Sequence, residues 1–223
     1  MDTPDSKPFQ WSWEPDRRPP VVEIPFGFVP PAIVAIGAST GGPTALEQLL
    51  PALPEDLPVG VLVVQHMPLG FTGPFTERMN ALSKVEVVQA QEGMPVERGR
   101  VYIAVAGQHM TVRRRSGNDV TLNLSPTPTH IHTPSVDVMM ASVAEAYHAR
   151  AMGIIMTGMG NDGALGMRAI HREGGLTVGQ SETSCAVYGM PRCCAEMGIL
   201  TRVVPLAAIL DEILTAVHYY KPQ

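Results

Sequence analysis

From Ala32 onward the sequence alternates short valine- and isoleucine-rich runs with segments of helical spacing. A run that is apolar at every position suits a strand buried on both faces, as in a parallel sheet covered by crossover helices. Strands are expected over 32–37, 59–65, 101–106, 151–157 and 175–179, with a shorter one over 85–88. Helices are expected over 43–53, 71–82, 135–148, 164–172, 190–197 and 206–217. Pro43 and Pro205 suit a first helical turn, where a missing NH does no harm. The fold class that follows is α/β: a doubly wound, mainly parallel sheet flanked by helices. Between Met110 and Leu124 the period changes to two, with Ser116, Gly117, Asn118 and Asp119 as turn residues, which predicts an inserted β-hairpin.

Residues 1–31 have a different texture. Eight prolines, mixed charges and no sustained periodicity make this segment a tail or linker, leaving 32–223 as the folded domain. Phe9, Trp11 and Trp13 lie in that tail, either packed on the domain surface or serving as a docking peptide. A formal charge of −5 gives no electrostatic reason to expect nucleic acid or an anionic membrane as partner. The one dense basic cluster, Arg113, Arg114 and Arg115, falls at the hairpin, where it reads as a solvated tip. No apolar run approaches the roughly 20 residues of a membrane-spanning helix. The N-terminus lacks the apolar stretch of a signal peptide, so no membrane insertion is expected. Cys185, Cys193 and Cys194 form neither a CxxC motif nor an even disulfide set, which fits the reducing cytoplasm.

In open α/β sheets ligands bind beyond the carboxyl ends of the strands, so the loops after the apolar runs are where chemistry is sought. Gly37-Ala38-Ser39-Thr40-Gly41 follows the first run and fits G-x-S-x-G between strand and helix, a turn that can expose a serine hydroxyl. Ser39 could equally cap the next helix, or the glycines could cradle a phosphate, although the second glycine of G-x-G-x-x-G is absent. His66 follows the second run. Asp162, in Gly158-Met159-Gly160-Asn161-Asp162-Gly163, follows the run at 151–157 and could cap the helix beginning near Ala164. Taken together, Ser39, His66 and Asp162 supply a nucleophile, a base and a group to orient the base. Their chain order differs from that of α/β-hydrolases, so only the chemistry converges. The backbone NH groups of Thr40 and Met159 are the oxyanion-hole candidates. Such chemistry needs no cofactor. His130 and His132 have no third ligand nearby, so no metal site is expected. His132 is a candidate to line the cleft, Asp137 reads as a helix-start or structural residue, and the methionines at 139, 140, 152, 156, 159, 167, 190 and 197 read as core filler.

Over about 32–214 the sequence resembles the catalytic domain of the chemotaxis methylesterase family, CheB. The resemblance rests on Gly37-Ala38-Ser39-Thr40-Gly41-Gly42, Gln65-His66-Met67, Pro134-Ser135-Val136-Asp137, Thr157-Gly158-Met159-Gly160-Asn161-Asp162-Gly163 and Val187-Tyr188-Gly189-Met190-Pro191. It implies a Ser39, His66, Asp162 triad that hydrolyses glutamate methyl esters on the cytoplasmic helices of methyl-accepting chemotaxis receptors, giving glutamate and methanol. It also implies deamidation of receptor glutamines. Members usually carry a phosphorylatable receiver domain ahead of the esterase, and residues 1–31 are too few to hold one, so control by an aspartyl phosphate is not expected from this sequence.

Overall fold

The structure is a computed structural model that describes residues 29–116, 119–126 and 132–218. Residues 1–28, which hold Phe9, Trp11 and Trp13, and Gly117, Asn118 and His130 lie outside the described residues. Seven strands form one sheet: β1 (Ile33–Ala38), β2 (Gly60–Gln65), β3 (Glu86–Gln89), β4 (Arg100–Ile103), β7 (Ala151–Ile155), β8 (Leu176–Gln180) and β9 (Arg202–Val204). Their order is β3-β4-β2-β1-β7-β8-β9, and every neighbouring pair is parallel. This is the expected parallel sheet flanked by helices. The antiparallel pair β5 (His109–Ser116) and β6 (Asp119–Ser125) forms a separate two-stranded sheet, the expected hairpin.

Burial explains why β1, β2 and β7 lack a polar face. Each of their residues is buried, because helices cover both sides of the sheet. One core holds Val34, Ile36, Val61 and Val63 against α1 (Gly42–Leu49), α2 (Thr72–Leu82) and α6 (Leu206–Ala216). The other holds Ile33, Ala35, Leu62 and Val64 against α3 (Val136–Tyr147), α4 (Ala164–Arg172), α5 (Met190–Glu196) and the hairpin residues Met110, Val112, Val120 and Leu122. Alternate residues of one strand thus feed opposite cores, as the period of two requires. No helix among the described residues is long and apolar enough to cross a membrane.

Most element boundaries fall within two residues of expectation, and the exceptions have physical reasons. The expected helix 43–53 ends at Leu49 and continues as a 3₁₀ turn, Leu50–Ala52, because Pro51 cannot donate into an α-helical ladder. The expected strand 101–106 stops at Ile103. The edge strand β9 is a strand that the apolar runs do not announce: it is three residues long, and Arg202 and Val203 are exposed. Six of the eight singled-out methionines are fully buried, but Met159 is 71% and Met197 39% exposed, so these two are not core filler.

Candidate active site

β1 lies at the centre of the sheet, where the strand order reverses: β2 is on one side and β7 on the other. Ligands of open α/β sheets bind beyond the carboxyl edge at such a switch point, and the three candidate residues follow the strands at that edge. Ala38 is in register with Gln65, so Ser39 and His66 occupy equivalent positions just beyond β1 and β2. His66 N donates to Ala38 O at 3.1 Å, and Ser39 N donates to Thr157 O, beyond β7, at 3.0 Å.

The turn that carries Ser39 is held from several sides. Gly41 adopts φ 80°, a left-handed conformation that favours glycine, and is the residue that precedes α1. No side chain caps α1, so Ser39 is not its N-cap. The phosphate-cradle alternative also loses ground: Gly42 N is committed to Ser39 O at 2.8 Å, and Pro43 has no NH to offer. Gln65 ties the two loops together, its Nε2 donating to Ser39 O at 3.0 Å and to His66 O at 2.8 Å. The Gln65 side chain fills the space that a Cβ on residue 42 would need, since Oε1 would stand only 1.9 Å from it. On the β7 side, Thr157 Oγ1 donates to Thr40 O at 2.9 Å and accepts from Val187 N at 3.0 Å. Gly158 N donates to Val187 O, while Gly158 O accepts from Gly189 N and Met190 N. The Val187-Tyr188-Gly189-Met190 motif is therefore a clamp on the loop that approaches Ser39.

His66 and Asp162 form a close pair. His66 Nε2 stands 2.7 Å from Asp162 Oδ2, with side-chain exposures of 10% and 9%. Burial alone would push the Asp162 carboxyl upward. The hydrogen bond from His66, the NH groups of Asp137 and Val136 and the Ser135 hydroxyl outweigh burial and lower it to about 2. Asp162 is therefore an acceptor at neutral pH, which puts the proton of the pair on His66 Nε2 and leaves Nδ1 as the basic nitrogen. Nδ1 is buried and has no hydrogen-bond partner among the described residues.

Asp162 does not cap the helix that follows it, as the sequence allowed. Its Oδ2 accepts from Val136 N at 2.8 Å, and its Oδ1 accepts from Asp137 N at 2.9 Å and Ser135 Oγ at 2.8 Å, all at the start of α3. Asp137 returns the arrangement: its Oδ1 accepts from Gly163 N at 2.9 Å and Gly166 N at 2.8 Å at the start of α4. Asp137 is thus structural, as expected, but it serves the neighbouring helix. Burial, with the Asp162 charge adding to it, raises the Asp137 carboxyl against the pull of those NH groups. Ser135 is the true N-cap of α3, accepting from Val138 N at 3.4 Å while donating to Asp162.

The remaining candidates divide. His132 is in the site, its ring stacked on that of His66 with centroids 4.3 Å apart and planes 18° from parallel. Thr40 and Met159 lie in the two loops beside Ser39, and neither NH has a hydrogen-bond partner among the described residues. Sequence reasoning missed the supporting roles of Ser135 and Gln65. The cap position of Ser135 was readable, but its bond to a residue 27 positions away was not.

The CheB methylesterase family profile matches residues 34–213. The protein-glutamate methylesterase/protein-glutamine glutaminase of Archaeoglobus fulgidus is 48% identical over 182 residues, covering 81% of this chain and 52% of that one. The protein of the same name from Pyrococcus horikoshii is 45% identical over 186 residues, covering 83% of this chain and 50% of that one. The chain spans about half the length of the curated relatives it matches. The crystal structure of the Thermotoga maritima CheB methylesterase catalytic domain superposes with a TM-score of 0.81 at 34% identity, covering 84% of this chain and 99% of that one. A profile match across most of the chain, together with relatives of this identity and one shared parallel-sheet fold, makes this chain a member of the CheB methylesterase family.

Proposed function

We propose that this chain hydrolyses methyl esters of protein glutamates, with Ser39 as nucleophile, His66 as general base and Asp162 as the orienting carboxylate. The observation that carries this reading is the His66–Asp162 pair, which leaves a buried Nδ1, unpartnered among the described residues, at the sheet edge from which Ser39 emerges. A serine hydroxyl is a weak nucleophile at neutral pH and needs such a base. Hydrogen bonds between nucleophile and base commonly tighten only once substrate is seated.

Ser39 Oγ attacks the ester carbonyl carbon as its proton passes to His66 Nδ1, and Asp162 stabilises the imidazolium through Nε2. The NH groups of Thr40 and Met159 receive the oxyanion, at roughly 3 kcal/mol per donor. Collapse expels the methoxy group, which takes the Nδ1 proton and leaves as methanol, with the glutamyl chain esterified to Ser39. Water then gives a proton to Nδ1 and attacks that ester, and the proton passes to Ser39 Oγ as it departs, freeing glutamate. A glutamine side chain follows the same path with ammonia as the leaving group, in keeping with the second activity in the relatives' names.

The substrate side chains are those on the cytoplasmic helices of methyl-accepting chemotaxis receptors, which places the enzyme in the cytoplasm. Incubation with receptor bearing labelled methyl esters should release labelled methanol. Absence of release by the wild type, or equal release by Ser39→Ala, rejects the reading.

A further inference from the structure

The segment 132–137 wraps the His66–Asp162 pair from one side. Ser135 Oγ and the NH groups of Val136 and Asp137 hold the Asp162 carboxylate, and three residues before Ser135 the His132 ring lies flat on His66. Among the described residues the His66 side chain has one hydrogen bond, to Asp162. With Cγ held by the chain and Nε2 by that bond, the ring can still turn about the line joining them, which swings Nδ1. A second ring 4.3 Å away and 18° from parallel restricts that turn.

We propose that His132 is a positioning residue that fixes the plane of the His66 ring, so that Nδ1 points where the Ser39 proton must go. This rests on the reading of His66 as the base. His132 acts through the His66 ring on which it stacks. His132 is exposed while the His66 side chain is 10% exposed, so the outer residue also acts as a cover over the inner ring. What the role requires is a flat ring, not an imidazole nitrogen. The segment's anchoring through Ser135 further makes the two contacts cooperative: loosening the Ser135–Asp162 bond also loosens the stack.

The test uses His132→Ala, His132→Gln and His132→Phe, which the exposure of this position should tolerate. The rate at which a fluorophosphonate labels Ser39 needs no receptor, so it separates this proposal from the choice of substrate. Labelling should slow by about 3- to 10-fold in the Ala and Gln variants, the range expected for loss of an aromatic stack, and return to within about 2-fold in Phe. Methanol release should show the same pattern in kcat with KM unchanged. In spectra of ¹³C-histidine-labelled protein, the His66 ring resonances should lose a ring-current shift in Ala and Gln and keep it in Phe. Wild-type rates or unchanged His66 resonances in Ala, or a Phe variant as slow as Ala with equal melting temperature, would overturn the proposal. Normal labelling without methanol release would sink the methylesterase reading alone. If even the wild type resists labelling, the nucleophile assignment fails and the His66 resonances decide whether the stack exists.

Discussion

Asp162 and Asp137 exchange helix caps. Asp162, in the loop before α4, accepts the first NH groups of α3, and Asp137, in the first turn of α3, accepts the NH groups of Gly163 and Gly166 at the start of α4. Each carboxylate satisfies donors that a helix start leaves without intrahelical partners. The two helices are thereby locked together at the edge where His66 meets Asp162. The orientation of His66 is set by the packing of α3 on α4 as well as by its own strand.

Replacing Asp162 by Asn tests whether that carboxylate works as a pure acceptor. Four donors converge on it: His66 Nε2, Ser135 Oγ, Val136 N and Asp137 N. An amide would turn two NH donors toward groups that also donate. Asp162→Asn should lower kcat/KM by about 10³- to 10⁴-fold, with a stability loss of about 1–3 kcal/mol. Steady-state kinetics and urea unfolding measure the two effects. Wild-type activity would show that His66 does not depend on this partner.

The same carboxylates predict the acid response. The Asp162 carboxyl is about 2 in the fold against an ordinary 3.8, so its contribution to stability is fully present above pH 3.8 and is lost as pH falls toward 2. That loss should be about 2 kcal/mol for this side chain, which is 9% exposed. Asp137 has the opposite sign: its pKa is raised in the fold, so protonation relieves a cost as pH falls. Between pH 5 and pH 2.5, urea-unfolding free energies should therefore fall less steeply in Asp162→Asn than in wild type, and more steeply in Asp137→Asn. Parallel slopes in all three proteins would contradict the assigned directions.

The fold was legible because its strands are buried on both faces: β1, β2 and β7 contain no polar alternation to confuse the period. The three polar residues at the strand ends were legible for the same reason, since each follows an apolar run directly or within one glycine-rich loop. What escaped was the partner choice between loops distant in sequence. Asp162 sits where an N-cap for α4 belongs, and nothing local says that it turns to α3 instead. Gln65 reads as the last residue of a strand, and its two bonds to loop carbonyls become visible only once β1 and β2 are in register. β9 was hidden because an exposed three-residue edge strand has almost no hydrophobic pattern.

Gln65 should prove as important for positioning as its distance from the reacting atoms allows. Gln65→Leu keeps a similar volume and removes both donors, freeing Ser39 O and His66 O from the bridge between their loops. Ser39 O retains the NH of Gly42, whereas the His66 carbonyl loses the Gln65 side-chain donor. Stability should fall by about 1–2 kcal/mol, and kcat should fall by about 10-fold as the loops drift apart. Thermal melts and Ser39 labelling rates test this, and an unchanged labelling rate would remove Gln65 from the site.

Gly37 offers a test of the approach of α3 to β1. A Cβ placed there would stand 2.3 Å from Val136 Cγ1, and Val136 is the residue whose NH Asp162 accepts. Gly37→Ala should push the start of α3 outward, costing about 1–3 kcal/mol through overpacking and reducing activity more than that loss of folded protein explains. Val136→Ala removes the colliding methyl groups, so the double variant Gly37→Ala/Val136→Ala should recover activity that neither the first change nor general destabilisation would predict. Melting temperatures and Ser39 labelling rates of the two single variants and the double variant complete the cycle. Strictly additive losses would mean that the collision is absorbed elsewhere and that the helix start does not govern the His66–Asp162 pair.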